Sequence, residues 1–552
     1  MLYNICYNTK DIEHLDMSLI FFLFILPCFS SGDLLEVDTP YGPVTGSSRT
    51  TATNTSYFSF QGIPFAKPPT GSLRLLAPEP PTPWSSPLDV SGDSRVMCPQ
   101  LSETVSGDLL GQEDCLYLNI YTPAVETASL PVMVWLYGGG FITGSGAVSE
   151  YGPDRWLDQG IVVVTLNYRG YALGFLSLGT STVPGNQGLL DQLMALRFVQ
   201  ETITSFGGDP GSVTLMGQSA GSSSALYHLM SPRSAGLFHR VIAQSGSNFS
   251  PSLHSITGAE AARFGVEASI AMGCLLGGER RLQCLQGLSF EKFVRLNQAI
   301  GVNLKPNEDI DYADDPFMPM SPMEALRSGN YLTGIPVIIG TNEDDGLILT
   351  TPLKTDPSLY LLYRNLWSVI APGILFHIPV EESSLEASRK ASELADFYLG
   401  GSSHIVPENF DIITDMFTDA FVTYAVECFV SYAHQTQPVF QYRYVHQGDH
   451  GLNTDDGLPK YGVNHGDELY LQWDPVFGLN PPLSQEDTAM SSIIVKAWSS
   501  FIKTGVPDMG EVDWVPATTT SREYMVLDTN YTMSRSQDYQ EKMDFWKELF
   551  PC

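Results

Sequence analysis

The chain has 552 residues, 43% of them apolar, which excludes a disordered protein and allows a large buried core. Its 61 acidic residues outnumber 29 basic ones, for a net charge of −32, and no Lys/Arg cluster offers itself to a phosphate backbone. Nucleic acid is therefore excluded as a partner.

In chain order, the first element is a leader. The stretch 18-SLIFFLFILPCFSSG-32 is apolar from Leu19 to about Leu26, then meets Pro27 and small residues. It is too short to span a bilayer and reads as a secretory signal over 17–32 within a leader region 1–32. No later stretch is long and apolar enough for a membrane span, so the expected product is secreted and extracellular. Beyond the leader, six cysteines remain: Cys98, Cys115, Cys274, Cys284, Cys428 and Cys552. An even count in an oxidising compartment points to disulfides, and Cys98 with Cys115 and Cys274 with Cys284 are spaced to close short loops. No C-x-x-C or Cys/His cluster points to zinc, and no metal or cofactor is expected. The sequons at Asn54, Asn248 and Asn530 are glycosylation candidates.

The mature N-terminal part reads as a β-meander, with strands predicted over 56–66 and 116–123 among Pro and Gly. Strands then alternate with helices. Near-continuous apolar runs at 132–137, 161–168, 213–217, 240–246, 336–342 and 439–444 suit strands buried on both faces of a mostly parallel sheet. Helical periodicity marks 187–206 and 488–505, the second stopping at Gly505. The βαβ alternation implies an α/β fold. No repeat, linker or composition break divides 33–552, so one large domain is expected.

The chemistry gathers where the strands end. In 213-VTLMGQSAG-221 a serine stands between two glycines just past a strand, the setting of a nucleophile elbow. A serine hydroxyl needs a base, and the base an orienting acid, in the chain order Ser, acid, His on such a scaffold. The acid falls among Glu343, Asp344 and Asp345, after the strand at 336–342. The base falls among His446, His450 and His465, after the strand at 439–444. Three glycines after the strand at 132–137 let backbone N–H groups turn toward a carbonyl, and no phosphate-loop pattern accompanies them. Gly139, Gly140 and Ala220 are the predicted oxyanion donors, each worth about 3 kcal/mol to a transition state.

Seven collinear stretches carry a resemblance. They are 62-GIPFAKPPTGSLR-74, 113-EDCLYLNIYTP-123, 134-VWLYGGGF-141, 186-NQGLLDQLMALRFV-199, 205-SFGGDPGSVTLMGQSAG-221, 336-PVIIGTNEDDG-346 and 461-YGVNHGDEL-469. Over nearly all of 33–552 the chain resembles the carboxylesterase/cholinesterase family of α/β-hydrolases. The resemblance implies Ser219 as nucleophile, His465 as base and Gly139, Gly140 and Ala220 as oxyanion hole. It also implies disulfides Cys98–Cys115 and Cys274–Cys284, and salt bridges Arg74–Glu113 and Arg169–Asp191. The family's acid directly precedes the Gly of its turn, which selects Asp345, here an Asp where Glu is usual.

Cys552 lies beyond the family's usual cysteine. It is left to pair with Cys428 or to link two chains as a homodimer. Gln218 stands where cholinesterases carry Glu, and the 98–115 loop has no aromatic residue, so a choline-like substrate is not expected. The implied activity is hydrolysis of a small to medium carboxylic ester through an acyl-enzyme. The alternatives are an adhesion or scaffold protein of the same fold, like the neuroligins, and a lipase or sterol esterase.

Overall fold

The computed structural model describes residues 34–552, apart from 103–106, 126–128, 252, 301–303, 377–384, 456 and 520–521. The leader therefore lies outside the described residues. Twelve strands form one path through the main sheet: β1 (Leu34–Thr39), β2 (Gly42–Thr50), β3 (Ser56–Pro64), β4 (Tyr117–Thr122), β5 (Leu130–Leu136), β6 (Val162–Leu166), β7 (Gly208–Gln218), β8 (Arg240–Gln244), β9 (Val337–Asn342), β10 (Val439–Tyr444), β11 (Tyr524–Leu527) and β12 (Thr532–Ser534). Their spatial order is β1-β2-β3-β4-β6-β5-β7-β8-β9-β10-β11-β12. Pairing is antiparallel from β1 to β6 through β4, parallel from β6 to β11, and antiparallel again at β12. This is the mostly parallel sheet behind an antiparallel N-terminal part that the sequence predicts.

The centre of the sheet is buried on both faces. Val132 to Leu136, Val162 to Leu166 and Val213 to Gln218 are all buried, as their unbroken apolar runs require. Helices Gln187–Thr202 and Gln485–Thr504 flank the sheet; the second ends on Gly505 in the left-handed conformation, with its N–H bonded to Phe501 O. No described helix is long and apolar enough to cross a membrane.

Two buried ion pairs tie loops to this frame. Arg169 grips Asp191 through Nε and Nη2, both at 2.7 Å, and Arg74 grips Glu113 through Nε and Nη2, both at 2.6 Å. Fork-on-carboxylate geometry gives each carboxylate two charge-assisted hydrogen bonds at once. Loss of one partner from such a buried pair costs about 3–5 kcal/mol, because the other charge stays behind unpaired.

All three cysteine pairs close within the chain. Cys98–Cys115 and Cys274–Cys284 form as the resemblance implies, with Cα separations of 5.0 and 5.7 Å. Cys552 pairs with Cys428, 124 residues away, which corrects the interchain alternative. The C-terminal helix Gln537–Leu549 returns the chain to the helix Tyr424–Ala433 that carries Cys428. A second correction concerns the sequons. Asn54 and Asn530 are exposed, but Asn248 is only 1% exposed, so no glycan fits there in the folded protein.

Non-reducing peptide mapping is expected to return all three intrachain bonds, from protein that runs at the mass of one chain on a non-reducing gel. A dimer band that collapses on reduction would place Cys552 between chains. Replacing Cys428 and Cys552 together with Ser should cost about 2–5 kcal/mol of stability, the upper end being the loop-closure contribution of a loop this long, read from denaturant midpoints.

Candidate functional site

Ser219 sits on the turn between β7 and the helix Ala220–Met230 with φ 57° and ψ −124°, a conformation that non-glycine residues rarely adopt. Such strain costs about 1–3 kcal/mol and persists only when packing over-determines it. Here the packing is backbone on backbone. A Cβ on Gly221 would lie 1.9 Å from Leu136 O, and one on Gly217 would lie 2.4 Å from the Gly221 carbonyl. Both glycines are therefore required for the turn to close against β5. The Ser219 N–H is anchored to Gln244 O on β8 at 2.8 Å. These contacts answer why a serine should stand between glycines at this point in the chain.

The other predicted residues converge on it. Asp345 follows β9 and is fully buried; its Oδ2 accepts from Asn342 N at 2.8 Å and Ser245 Oγ at 3.0 Å. Its Oδ1 lies 2.8 Å from His465 Nδ1. That hydrogen bond spans 120 residues of sequence and puts the imidazole proton on Nδ1, leaving the Nε2 lone pair toward the cavity. The rejected neighbours have other work. Asp344 Oδ2 accepts from Val463 N at 2.9 Å, holding the loop that carries His465, and burial pushes its carboxyl up to about 6. Glu343 pairs with Arg443 at 3.6 Å. His446 lies between Asp487 and Asp528, and His450 donates to Pro482 O at 3.1 Å.

Ser219, His465, Gly139 and Gly140 line one cavity of about 720 Å³. Gly139 and Gly140 both have positive φ, 92° and 62°, which turns the backbone of this loop into a conformation that glycine favours. Ala220 opens its helix, so its N–H has no intrahelical acceptor. The 98–115 loop contributes Gln100, Leu101, Ser102 and Leu110 to the lining, while the aromatic walls come from Tyr151, Tyr171, Phe293, Phe421 and Phe477.

Three residues escape a reading of the sequence. Gln218 Nε2 lies 3.2 Å from His465 Nε2, although sequence comparison marks Gln218 only as a missing acid. Phe421, in a π-helical turn Asp419–Thr423, sets its ring 5.2 Å from the His465 ring, edge to face. Glu468 lies buried behind the pair; Asn342 Nδ2 donates to it at 2.5 Å, and burial, then the Asp345 charge, push it up to about 7. Only the 247-residue separation hides Gln218, which a motif comparison cannot bridge.

Comparisons with known proteins bear on the family. A family model described as the carboxylesterase family matches residues 33–546. The juvenile hormone esterase of Tribolium castaneum is 34% identical over 502 residues, covering 86% of this chain and 84% of that one. A carboxylic ester hydrolase of Bombus ignitus is 32% identical, covering 93% and 94%. The crystal structure of juvenile hormone esterase from Manduca sexta, with OTFP covalently attached, superposes with a TM-score of 0.84 at 25% identity, covering 94% and 100%. The chain belongs to the carboxylesterase family, carboxylic-ester hydrolases built on the α/β-hydrolase fold.

Proposed function

We propose that this chain is a secreted serine esterase that cleaves lipophilic carboxylic esters through an acyl-enzyme. The observation that carries the reading is the 2.8 Å His465–Asp345 hydrogen bond at a cavity shared with the strained Ser219. The largely apolar lining supports a lipophilic substrate, and three disulfides support an oxidising compartment.

In this reading Ser219 Oγ attacks the ester carbonyl as its proton passes to His465 Nε2. The carbonyl electron pair moves onto oxygen, where the N–H groups of Gly139, Gly140 and Ala220 receive it. Collapse of the tetrahedral species expels the alkoxide, which takes the proton from His465 and leaves as alcohol. Water then attacks the acyl carbon, gives its proton to His465, and the acid departs as Ser219 regains a proton. Asp345 acts through His465: it is a positioning residue that fixes the tautomer and stabilises the imidazolium.

Gln218 bears on the same nitrogen. With His465 neutral, its amide donates to the Nε2 lone pair that the serine proton must reach. A neutral amide there does not favour the imidazolium, whereas a carboxylate within 4 Å would. The groups that bear on the ring are Asp345 on Nδ1, Gln218 on Nε2, the Phe421 ring, and Glu468 behind.

Two experiments test the reading. Asp345→Asn should lose at least about a hundredfold in kcat, since the amide permits the wrong imidazole tautomer, with folding and secretion retained. Asp344→Asn should lose less than about tenfold, because the amide oxygen can still accept from Val463 N. Exchange of these two phenotypes would make Asp344 the orienting acid. Separately, Gln218→Glu should move the acid limb of the kcat/KM–pH profile upward by about one unit or more, as an opposite charge beside the imidazolium requires. An unmoved acid limb would show that Gln218 does not face the base in solution.

A further inference from the structure

Lys305 is a buried lysine that this reaction does not use. It lies in the segment after the helix Phe290–Ile300, is 4% exposed, and is the one Lys or Arg among the described lining of the cavity that holds Ser219. Leu304 precedes it in the chain, and Leu253, Phe293 and Leu296 line the same cavity. An ammonium in such surroundings is expensive unless it is paired.

Its partners within the chain are poor. Nζ approaches Pro251 O at 3.5 Å and the two ring nitrogens of His254 at 3.3 and 3.4 Å. The closer of those nitrogens, Nδ1, lies 2.5 Å from Pro251 O and donates its proton there, so it has no lone pair for Lys305. What remains is one imidazole nitrogen at 3.4 Å and one carbonyl at 3.5 Å, both beyond the usual 2.7–3.2 Å of a nitrogen-donated hydrogen bond. No carboxylate lies within salt-bridge distance of it among the described residues. The one carboxylate that bears on its charge, Glu260, is engaged by Thr257 through its N–H at 2.9 Å and its hydroxyl at 2.7 Å. Burial pulls the Lys305 ammonium down to about 7, so at neutral pH both its forms are present, and both donate N–H.

We propose that Lys305 is a specificity residue of this cavity, donating a hydrogen bond to a second oxygen of the substrate, separate from the ester group. The inference rests on the esterase reading of the same cavity. A neutral carbonyl oxygen, such as that of a ketone, fits better than a carboxylate. A chain of net charge −32 repels anions on approach, and a partly deprotonated amine is a weak counterion. The preferred ester is thus lipophilic with one interior polar oxygen, in keeping with a mostly apolar pocket that carries few fixed polar groups. A site built to hydrogen-bond an oxygen discriminates strongly against the analogue that lacks it, because its own polar group is then left unpaired.

The test uses the whole secreted protein and 4-nitrophenyl esters of C4 to C8 acids, each straight alkyl acid matched with keto isosteres. A second set carries the ketone in the alcohol part of alkyl acetates, and a third carries a terminal carboxylate. Hydrolysis of 4-nitrophenyl acetate by the wild type checks the esterase reading by itself. The proposal expects at least one keto ester to exceed its alkyl match by about tenfold or more in kcat/KM. Lys305→Met should abolish that preference, and Lys305→Gln, which retains an N–H donor, should keep part of it. A wild type with no keto preference in either set would overturn the proposal, whatever the variants do. So would a preference that survives in Lys305→Met, or a carboxylate ester that outperforms every ketone.

Discussion

The candidate site depends on one hydrogen bond, from His465 Nδ1 to the buried carboxylate of Asp345. A buried carboxylate must have its oxygens satisfied, and Asp345 has three donors for its two: Asn342 N, Ser245 Oγ and the imidazole. Two of those donors belong to the ends of β8 and β9, so the sheet itself orients the acid. The imidazole then has one tautomer and one direction. Its other nitrogen meets the cavity where the turn after β7 raises Ser219. Parallel strands bring these groups together, because successive carboxyl ends of such a sheet open on the same crevice.

The strain at Ser219 belongs to the same construction. Gly221 lets the turn press onto β5, and Gly217 lets it fold back on itself, at distances that no Cβ permits, and the serine between them stands at positive φ. The helix Ala220–Met230 begins at once, which leaves its first N–H groups beside the serine hydroxyl. Sharp turn, elevated hydroxyl and available donors therefore have one cause. The surrounding pocket is mostly apolar, with Gln218 and Lys305 as polar groups whose partners within the chain are weak or shared. In the proposed reaction these two set conditions for the chemistry and the choice of ester without touching the bonds that change.

Much of this was legible in the sequence where the physics is local. Apolar runs located the central strands to within a few residues, since strands buried on both faces leave no alternation to misread. The elbow glycines were legible because the turn that needs them spans five residues. Asp345 was separable from Asp344 through the resemblance, which puts the acid directly before the Gly of its turn; the segment 343–346 is a turn and not an extended strand, and in it Asp344 faces Val463. What escaped was non-local. Gln218 meets His465 across 247 residues, and only the fold decides between the two partners open to Cys552, bringing it to Cys428 across 124. Lys305 and Asn248 read as surface residues by type, yet both are buried. The helices between 347 and 433 also escaped, two of them carrying an interior proline, Pro352 and Pro372, that argues against a helix in any local reading.

The central claim is that Ser219 is the nucleophile, and covalent labelling tests it most directly. A stoichiometric organophosphate, followed by peptide mass spectrometry, should modify one serine, in the peptide containing Gly217–Gly221, with loss of ester hydrolysis in proportion to labelling. Label on a different residue, or full hydrolytic activity with Ser219 fully labelled, would contradict the account.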